Sequence, residues 1–367
     1  MDEKSLTAKL ALALIPGIGA GIARVLFTRC SSAEEVFRLR RRDLTNIPGI
    51  GEQIAGRILK ADTFSRAEEE IRFLNKEKLQ AWFLFDADYP VLLSQCPDAP
   101  LILFSRGSLG EGQNRFLSVV GTRNPSSRGL QFARDLIFAV ADRDPSIVVI
   151  SGLAYGIDIQ AHLAALDAGL RTIAVLGHGF HTLYPAVHRG IAERIARQGC
   201  LVSDFFSYNL PEPKNFIRRN RIIAGWSEAT LVIESGIKGG AMVTAEMANS
   251  YDREVCAVPG RPDDLMSRGC NFLIRTNQAC LVESADDLLQ SAGWKADRQV
   301  PEPVQASLFV TLCDEEREVF NMISETAVTI DQLARQAGWP VQVVSAHLLS
   351  LEFKGLIRGL PGQLYIR

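Results

Sequence analysis

The 367-residue chain predicts an α/β protein in which a parallel-sheet core is preceded by a helix-hairpin-helix domain and followed by a winged-helix domain. Three observations carry this expectation. Between residues 113 and 292, short all-apolar runs alternate with helical patterns, the texture of strands covered by helices on both faces. A Pro-Gly-Ile-Gly turn occurs twice near the N-terminus, at 16–19 and at 48–51. Residues 309–367 read as three helices separated by short turns, then two β segments.

Residues 1–75 are helical in pattern and carry an internal echo. Leu14-Ile15-Pro16-Gly17-Ile18-Gly19 returns as Asn46-Ile47-Pro48-Gly49-Ile50-Gly51, each followed by an Ala-containing helical run. Glycine permits positive φ and close backbone approach. The N–H groups that open the second helix of such a hairpin are able to face a phosphate. The plainer alternative is that each turn only packs two helices together; Arg40-Arg41-Arg42, beside the second copy, are countered by Glu34, Glu35 and Asp43. Residues 76–112, broken by Pro90, Pro97 and Pro100, form a bridging segment with a strand at 101–104.

Within the core at 113–292, strands are expected at 116–120, 147–150, 172–176, 200–203, 230–233 and 254–258. Helices are expected at 129–140, 158–168 and 241–251. Ligands of such sheets sit at the carboxyl ends of the strands. Residues 293–308 lack periodicity and carry two prolines, so they read as a linker. In the C-terminal domain a second helix starts near Ile330 and a turn follows at Gly338-Trp339-Pro340. Val341, Val344, Leu348 and Leu351 then recur at helical spacing, and β segments flank Leu360-Pro361-Gly362.

The hydrophobic fraction of 47% suits real cores, and the formal charge of −2 speaks against a uniformly basic coat protein. A sum over the chain nevertheless hides local asymmetry. No run approaches the roughly 18 apolar residues of a membrane span. The charged start at Met1-Asp2-Glu3-Lys4 and the break at Pro16-Gly17 match neither a secretory nor a transit signal. Seven dispersed cysteines, never spaced Cys-x-x-Cys, are expected as buried thiols of a reducing compartment, with the cytoplasm as location.

Three core strands end in Gly-rich turns: Gly121-Thr122-Arg123, then Ser151-Gly152-Leu153-Ala154-Tyr155-Gly156-Ile157-Asp158, then Gly177-His178-Gly179 followed by Tyr184-Pro185. After the first, Ser126 or Ser127 is placed to cap a helix, offering N–H groups and the Arg123 guanidinium to an anion. Asp158 is placed to cap the helix after the second. Neither a dinucleotide fingerprint nor a P-loop is present, and tight strand-to-helix turns alone would also use these glycines. The segment Lys214-Asn215-Phe216-Ile217-Arg218-Arg219-Asn220-Arg221 holds four cations, an aromatic and no acid, then runs into an apolar helix at 222–225. Cations attract phosphates and a ring stacks a base. Lys238 stands beside Gly239-Gly240, where a helix begins.

In this order these residues resemble the DNA-processing protein A (DprA, Smf) family. The matched elements are Gly121-Thr122-Arg123, Ser151-Gly152-x-Ala154-x-Gly156-Ile157-Asp158, Gly177-x-Gly179 with Tyr184-Pro185, and Phe216-x-Arg218-x-Asn220-Arg221-Ile222-Ile223-Ala224-Gly225. The turn at 239–245, Ala257-Val258-Pro259-Gly260 and Gly269-x-Asn271-x-Leu273-Ile274 complete the series. The resemblance is strong over residues 85–285. It implies an extended Rossmann-like parallel-sheet core that binds single-stranded DNA without a nucleotide cofactor, loads RecA recombinase onto incoming DNA in natural transformation, and forms a homodimer. By motif matching, Arg123, Lys214, Phe216, Arg218 and Arg221 would line the DNA pocket, with Lys238 nearby. The candidate set is completed by Gly121, Thr122, Ser151, Gly152, Gly177, Gly179, Arg219, Asn220, Gly239 and Gly240. His178 and His188 stand where the family commonly has Asn, Ile217 replaces Pro, Arg219 adds a charge, and Asn277 sits where Gly is common.

His178, His181 and His188 lack a carboxylate or thiol to complete a metal set, so no metal is expected. No enzyme activity is expected either. The rival is a nucleoside monophosphate phosphoribohydrolase of the LOG type, faintly resembled by Gly239-Gly240 with Thr244 and Glu246, in which Glu246 would be the needed carboxylate. In residues 310–367, five Lys and Arg face seven acids, and the expected recognition helix carries His347 and Lys354 but no arginine. A DNA-reading helix brings Arg, Lys, Asn or Gln to base edges, so this domain is expected to serve protein contact, with weak duplex binding at most.

Overall fold

The computed structural model describes residues 3–109, 114–294, 312–324, 327–354, 356–360 and 364–367. The expected linker beyond Trp294 and the Pro361-Gly362 turn lie outside the described residues. The chain divides into two compact units, Met1–Ala296 and Asp297–Arg367.

The first unit opens with helices α1 (Glu3–Leu14), α2 (Ala20–Phe27), α3 (Ala33–Arg38), α4 (Arg41–Thr45), α5 (Glu52–Leu59) and α6 (Phe64–Glu77). The two Pro-Gly turns join α1 to α2 and α4 to α5. Gly17 and Gly49 take the same left-handed conformation, φ 87° and 90°, so the sequence echo is a structural repeat. These helices share one hydrophobic cluster with the core: Leu10, Leu26 and Leu44 belong with Phe83, Leu103, Val148 and Ile173. Polar ties reinforce the join. Lys9 pairs with Asp86 at 2.5 Å, and Arg24 Nη2 donates to the Ser94 and Cys96 carbonyls. The buried Glu70 carboxylate accepts from Arg66 and from the amide and hydroxyl of Ser207. A buried charge so surrounded by donors is tolerable.

Next come β1 (Gln80–Phe83), α7 (Val91–Ser94), β2 (Ile102–Gly107), β3 (Arg115–Gly121), α8 (Ser127–Arg143), β4 (Ile147–Ser151), α9 (Ile157–Asp167), β5 (Arg171–Val175), α10 (Arg189–Gln198) and β6 (Cys200–Ser203). The unit ends with α11 (Pro213–Trp226), β7 (Ala229–Ile233), α12 (Gly240–Ser250), β8 (Glu254–Ala257), α13 (Arg268–Arg275), β9 (Cys280–Leu281) and α14 (Ala285–Ser291). The sheet order is β1-β2-β6-β5-β4-β3-β7-β8-β9. From β6 to β9 the neighbours are parallel, while β1 and β2 add antiparallel at the β6 edge. This is the expected Rossmann-like core, extended by the bridging segment. Alternation serves both faces: Leu117, Val119, Ile147 and Val149 pack with α8 and α9, whereas Val120, Val148 and Ile150 pack in the cluster shared with the hairpins and α11. Strand order reverses between β3 and β7, which opens a crevice outside their carboxyl ends.

The second unit is a winged helix: α15 (Asp314–Met322), β10 (Val328–Thr329), α16 (Ile330–Ala337), α17 (Val341–Phe353), β11 (Arg358–Leu360) and β12 (Leu364–Ile366), with sheet order β10-β12-β11. Val319, Leu333, Val344, Leu348 and Leu351 form its core. The two-residue β10 was not expected; Thr329 at its end also caps α16, with Gln332 completing a capping box. Hydrogen bonds from Lys354 and Ser350 hold the Glu316 carboxyl down at about 2. On α17 the exposed large hydrophobic side chains are Val341, Val343, Leu349 and Phe353, beside exposed Gln342 and Glu352. No helix among the described residues is long and apolar enough to cross a membrane.

Candidate nucleic-acid interface

A cavity of about 770 Å³ lies at the strand reversal. The end of β3 contributes Gly121, Thr122 and Arg123, the turn after β7 contributes Lys238, Gly239 and Gly240, and α11 contributes Phe216, Ile217 and Asn220. Arg123 and Lys238 are exposed. Gly239 is the N-cap of α12 and no side chain caps it, so first-turn amides of α12 remain for an acceptor. Phe216 is partly buried, with its ring centroid 5.6 Å from that of Tyr184. Tyr184, Ile217, Ile237 and Leu265 are exposed apolar groups of this region. Two cations, an uncapped helix start and an aromatic pair suit a phosphate beside a stacked base.

The basic segment differs from its expected form. It is not a stretch leading into a helix at 222–225; one helix runs from Pro213, with proline in its first turn, to Trp226. The 3.6-residue period therefore sorts its side chains. Phe216, Asn220 and Ile223 line the strand-end cavity, whereas Lys214, Arg218 and Arg221 line a second cleft on the other flank of α11. Arg218 and Arg221 both hold Asp204 Oδ2, at 3.0 and 2.5 Å. Arg219 is 3% exposed and donates to the carbonyls of Gly152 and Val175, so it forms the floor of the cavity and ties two strand ends together. Burial lowers it to about 10, still cationic at neutral pH.

The Gly-rich turns are filled by the protein's own side chains. The start of α8 is capped by Ser126, which accepts from the Gly129 amide. There the anion is Glu234, which takes the Ser126 amide at 2.8 Å and the Ser126 hydroxyl. Under the second turn, a Cβ on Gly152 would stand 2.5 Å from the Arg219 guanidinium; under the third, a Cβ on Gly177 would stand 2.6 Å from the Phe216 ring. Gly179 lies tight against the backbone of Phe206 and Ser207. Ser151 is buried and donates to the Val119 carbonyl. These residues support the cavity rather than open onto it. Asp158 does not cap α9, whose N-cap is Gly156. It sits buried in the first turn, and burial raises its carboxyl above the usual range.

His178 is buried, with Nδ1 on the Gly179 carbonyl and Nε2 accepting the Tyr184 amide, so it fixes the loop that presents Tyr184. His188 Nδ1 contacts the Leu153 carbonyl. Asn277 takes φ 54°, a conformation that Gly and Asn tolerate best. Among the described residues no group of three or more His, Cys, Asp or Glu could hold a metal. Tyr184, Asp204 and Glu234 were not among the expected site residues. Asp204 and Glu234 share one signal, an acid directly after an apolar strand.

A family model described as DNA recombination-mediator protein A matches residues 80–293. The chain belongs to this family. Within the DNA recombination-mediator protein A family, the DprA winged-helix domain model matches residues 303–363, and a SAM-like helix-hairpin-helix tandem matches 9–61. The chain is 31% identical over 403 residues to Protein Smf of Synechocystis, covering 98% of each chain. It is 34% identical over 329 residues to a putative DNA processing protein DprA of Mycobacterium tuberculosis, covering 86% of this chain and 84% of that one. The X-ray structure of DprA from Streptococcus pneumoniae superposes with TM-score 0.65 at 32% identity, over 77% of this chain and 95% of that one. A structure of DprA from Helicobacter pylori, described for its single-stranded DNA binding mode, shares the fold at TM-score 0.52 and 23% identity, over 58% and 95%.

Proposed function

We propose that this DNA recombination-mediator protein A family member is a non-enzymatic single-stranded-DNA-binding protein that protects incoming DNA and loads RecA recombinase in natural transformation, acting as a homodimer in the cytoplasm. The observation that carries the binding reading is the meeting of Arg123, Lys238 and Phe216 at the strand reversal. Cations there hold phosphates and the Phe216–Tyr184 pair stacks a base, a combination that tolerates any sequence. The family's recombination-mediator description supports a recombinase as the receiving partner. The phosphoribohydrolase alternative loses the carboxylate it was read on: Glu246 is exposed on α12 and is not among the residues lining the cavity, where the lining acid is Asp158, buried in the first turn of α9.

A titration with single- and double-stranded oligonucleotides at several salt concentrations tests the reading. Single strands bind tighter, and affinity falls with salt. Equal affinity for both forms, or no salt dependence, refutes it. RecA filament growth on single strands is accelerated by the protein, and light scattering at micromolar concentration gives a dimer; a monomer removes the dimer claim.

A further inference from the structure

The carboxyl ends of the core strands stand side by side in the order β5, β4, β3, β7, about 4.8 Å from one to the next. The Phe216 cavity draws on all four. Tyr184 follows β5, Ala154 follows β4, Arg123 follows β3 and Lys238 follows β7. The cations of this edge therefore lie at β3 and β7, and the aromatic pair lies at β5. At β4 the cavity wall is only a methyl group. The next residue, Tyr155, stands just outside that wall, and it is 46% exposed.

Tyr155 is not a loose surface ring. The His188 imidazole meets it edge-on, with centroids 5.1 Å apart and planes at 64°. His188 is buried, and its Nδ1 donates to the Leu153 carbonyl at 2.9 Å. The buttress is thus tied to the loop that carries the ring. Leu153 takes φ 55°, a left-handed conformation that costs a leucine free energy and persists only where the surroundings impose it. Here they do. Leu153 is fully buried in a cluster with Leu176 and Ile195. Two residues on, Gly156 takes φ 81° and packs so closely on the neighbouring loop that a Cβ would stand 2.8 Å from Arg123 Cα. The Ile157 amide donates to the Thr122 carbonyl at 3.2 Å. Burial, strain and a buried histidine fix a residue whose own ring turns to solvent beside Arg123. A ring already held in place loses little further freedom when a flat partner stacks on it.

We propose that Tyr155 is a second base-stacking platform: a single strand crossing the sheet edge sets one base on the Phe216–Tyr184 pair and a neighbouring base on Tyr155, while Arg123 and Lys238 hold phosphates. The proposal rests on the single-strand reading above and deepens it by naming a residue that selects the form of the DNA. Cations attract the phosphates of single and double strands alike. A side chain stacks only on a base whose face its neighbours leave uncovered, and a duplex offers none along its length. Tyr155 therefore adds affinity for the single strand alone.

The test titrates a labelled oligothymidylate of roughly 6 nucleotides and a duplex of roughly 20 base pairs, each followed by fluorescence anisotropy. Tyr155→Ala weakens the single strand by roughly fivefold or more, the value of one stacked base, with the log–log salt slope of the parent. Its loss is confined to the single strand. Tyr155→Phe, which keeps the ring, restores the affinity. In Tyr155→Trp the added indole emission is quenched by the single strand beyond any response of the parent, and the duplex does not quench it. If Tyr155→Ala melts lower than the parent, the indole quenching decides. Undiminished single-strand affinity in Tyr155→Ala, an equal loss for the duplex, a loss in Tyr155→Phe as large as that in Tyr155→Ala, or an unquenched indole overturns the proposal. A parent protein without preference for single strands overturns the single-strand reading itself; a parent with that preference, kept in full by Tyr155→Ala, overturns only the second platform.

Discussion

Replacing Phe216 with alanine takes away the ring of the strand-end cavity and no charge. Base stacking on an aromatic contributes about 1–3 kcal/mol per base. At about 1.4 kcal/mol per decade this is a loss of roughly 5- to 150-fold in affinity for a short single strand. The salt response separates stacking from charge. Two exposed cations, Arg123 and Lys238, line the cavity, so a short strand bound there has a log–log salt slope of about −1.4, at about −0.7 for each phosphate neutralised. Phe216→Ala keeps that slope while affinity drops; Lys238→Ala lowers it to about −0.7. Anisotropy titrations of a short oligothymidylate at four or so salt concentrations supply both quantities. An unchanged affinity in Phe216→Ala, or a slope that changes with it, refutes the assignment of the ring to base stacking and of the cations to phosphates.

Two further outcomes concern the groups beneath the cavity. Arg219→Gln leaves the carbonyls of Gly152 and Val175 short of their donor and destabilises the first unit by about 2–4 kcal/mol, read as a lower urea midpoint, while the salt slope for a short strand stays put. His162 is buried, with Nδ1 2.7 Å from the Thr172 hydroxyl, and burial lowers it to about 3. The folded value lies below the ordinary 6.5, so the unfolded chain takes up the proton first. The stability contributed by the neutral ring is complete above pH 6.5 and is lost as the pH falls toward 3, at up to about 1.4 kcal/mol per unit. Urea midpoints of the parent and of His162→Asn, followed from pH 7 to pH 4, converge if this holds; parallel curves refute it.

The core strands were legible because a parallel strand covered on both faces must be apolar throughout, as Ile147-Val148-Val149-Ile150 is. The edge strand β1 was not: its four residues begin exposed at Gln80 and carry no such run. The course of α11 was hidden by its own composition. Four cations and two Asn obscure the helical period that sets Phe216, Asn220 and Ile223 on one face, and only the helix reveals that Arg219 points inward while Lys214 and Arg218 face a different cleft. The glycines of the strand ends were visible, but what fills them was not. Glu234 meets Ser126 across 108 positions of chain, and no local pattern announces a pairing of that range. The departure at Asn277 explains itself once its φ of 54° is known.

The carboxylate of Glu234 sits where folds of this topology seat the diphosphate of a dinucleotide, at the helix start after the first strand of the reversal. A free nucleotide presenting its phosphate there meets a fixed negative charge in place of open amides. The start of α8 is thereby closed to a phosphate, and the open amides at the strand reversal are those that begin α12.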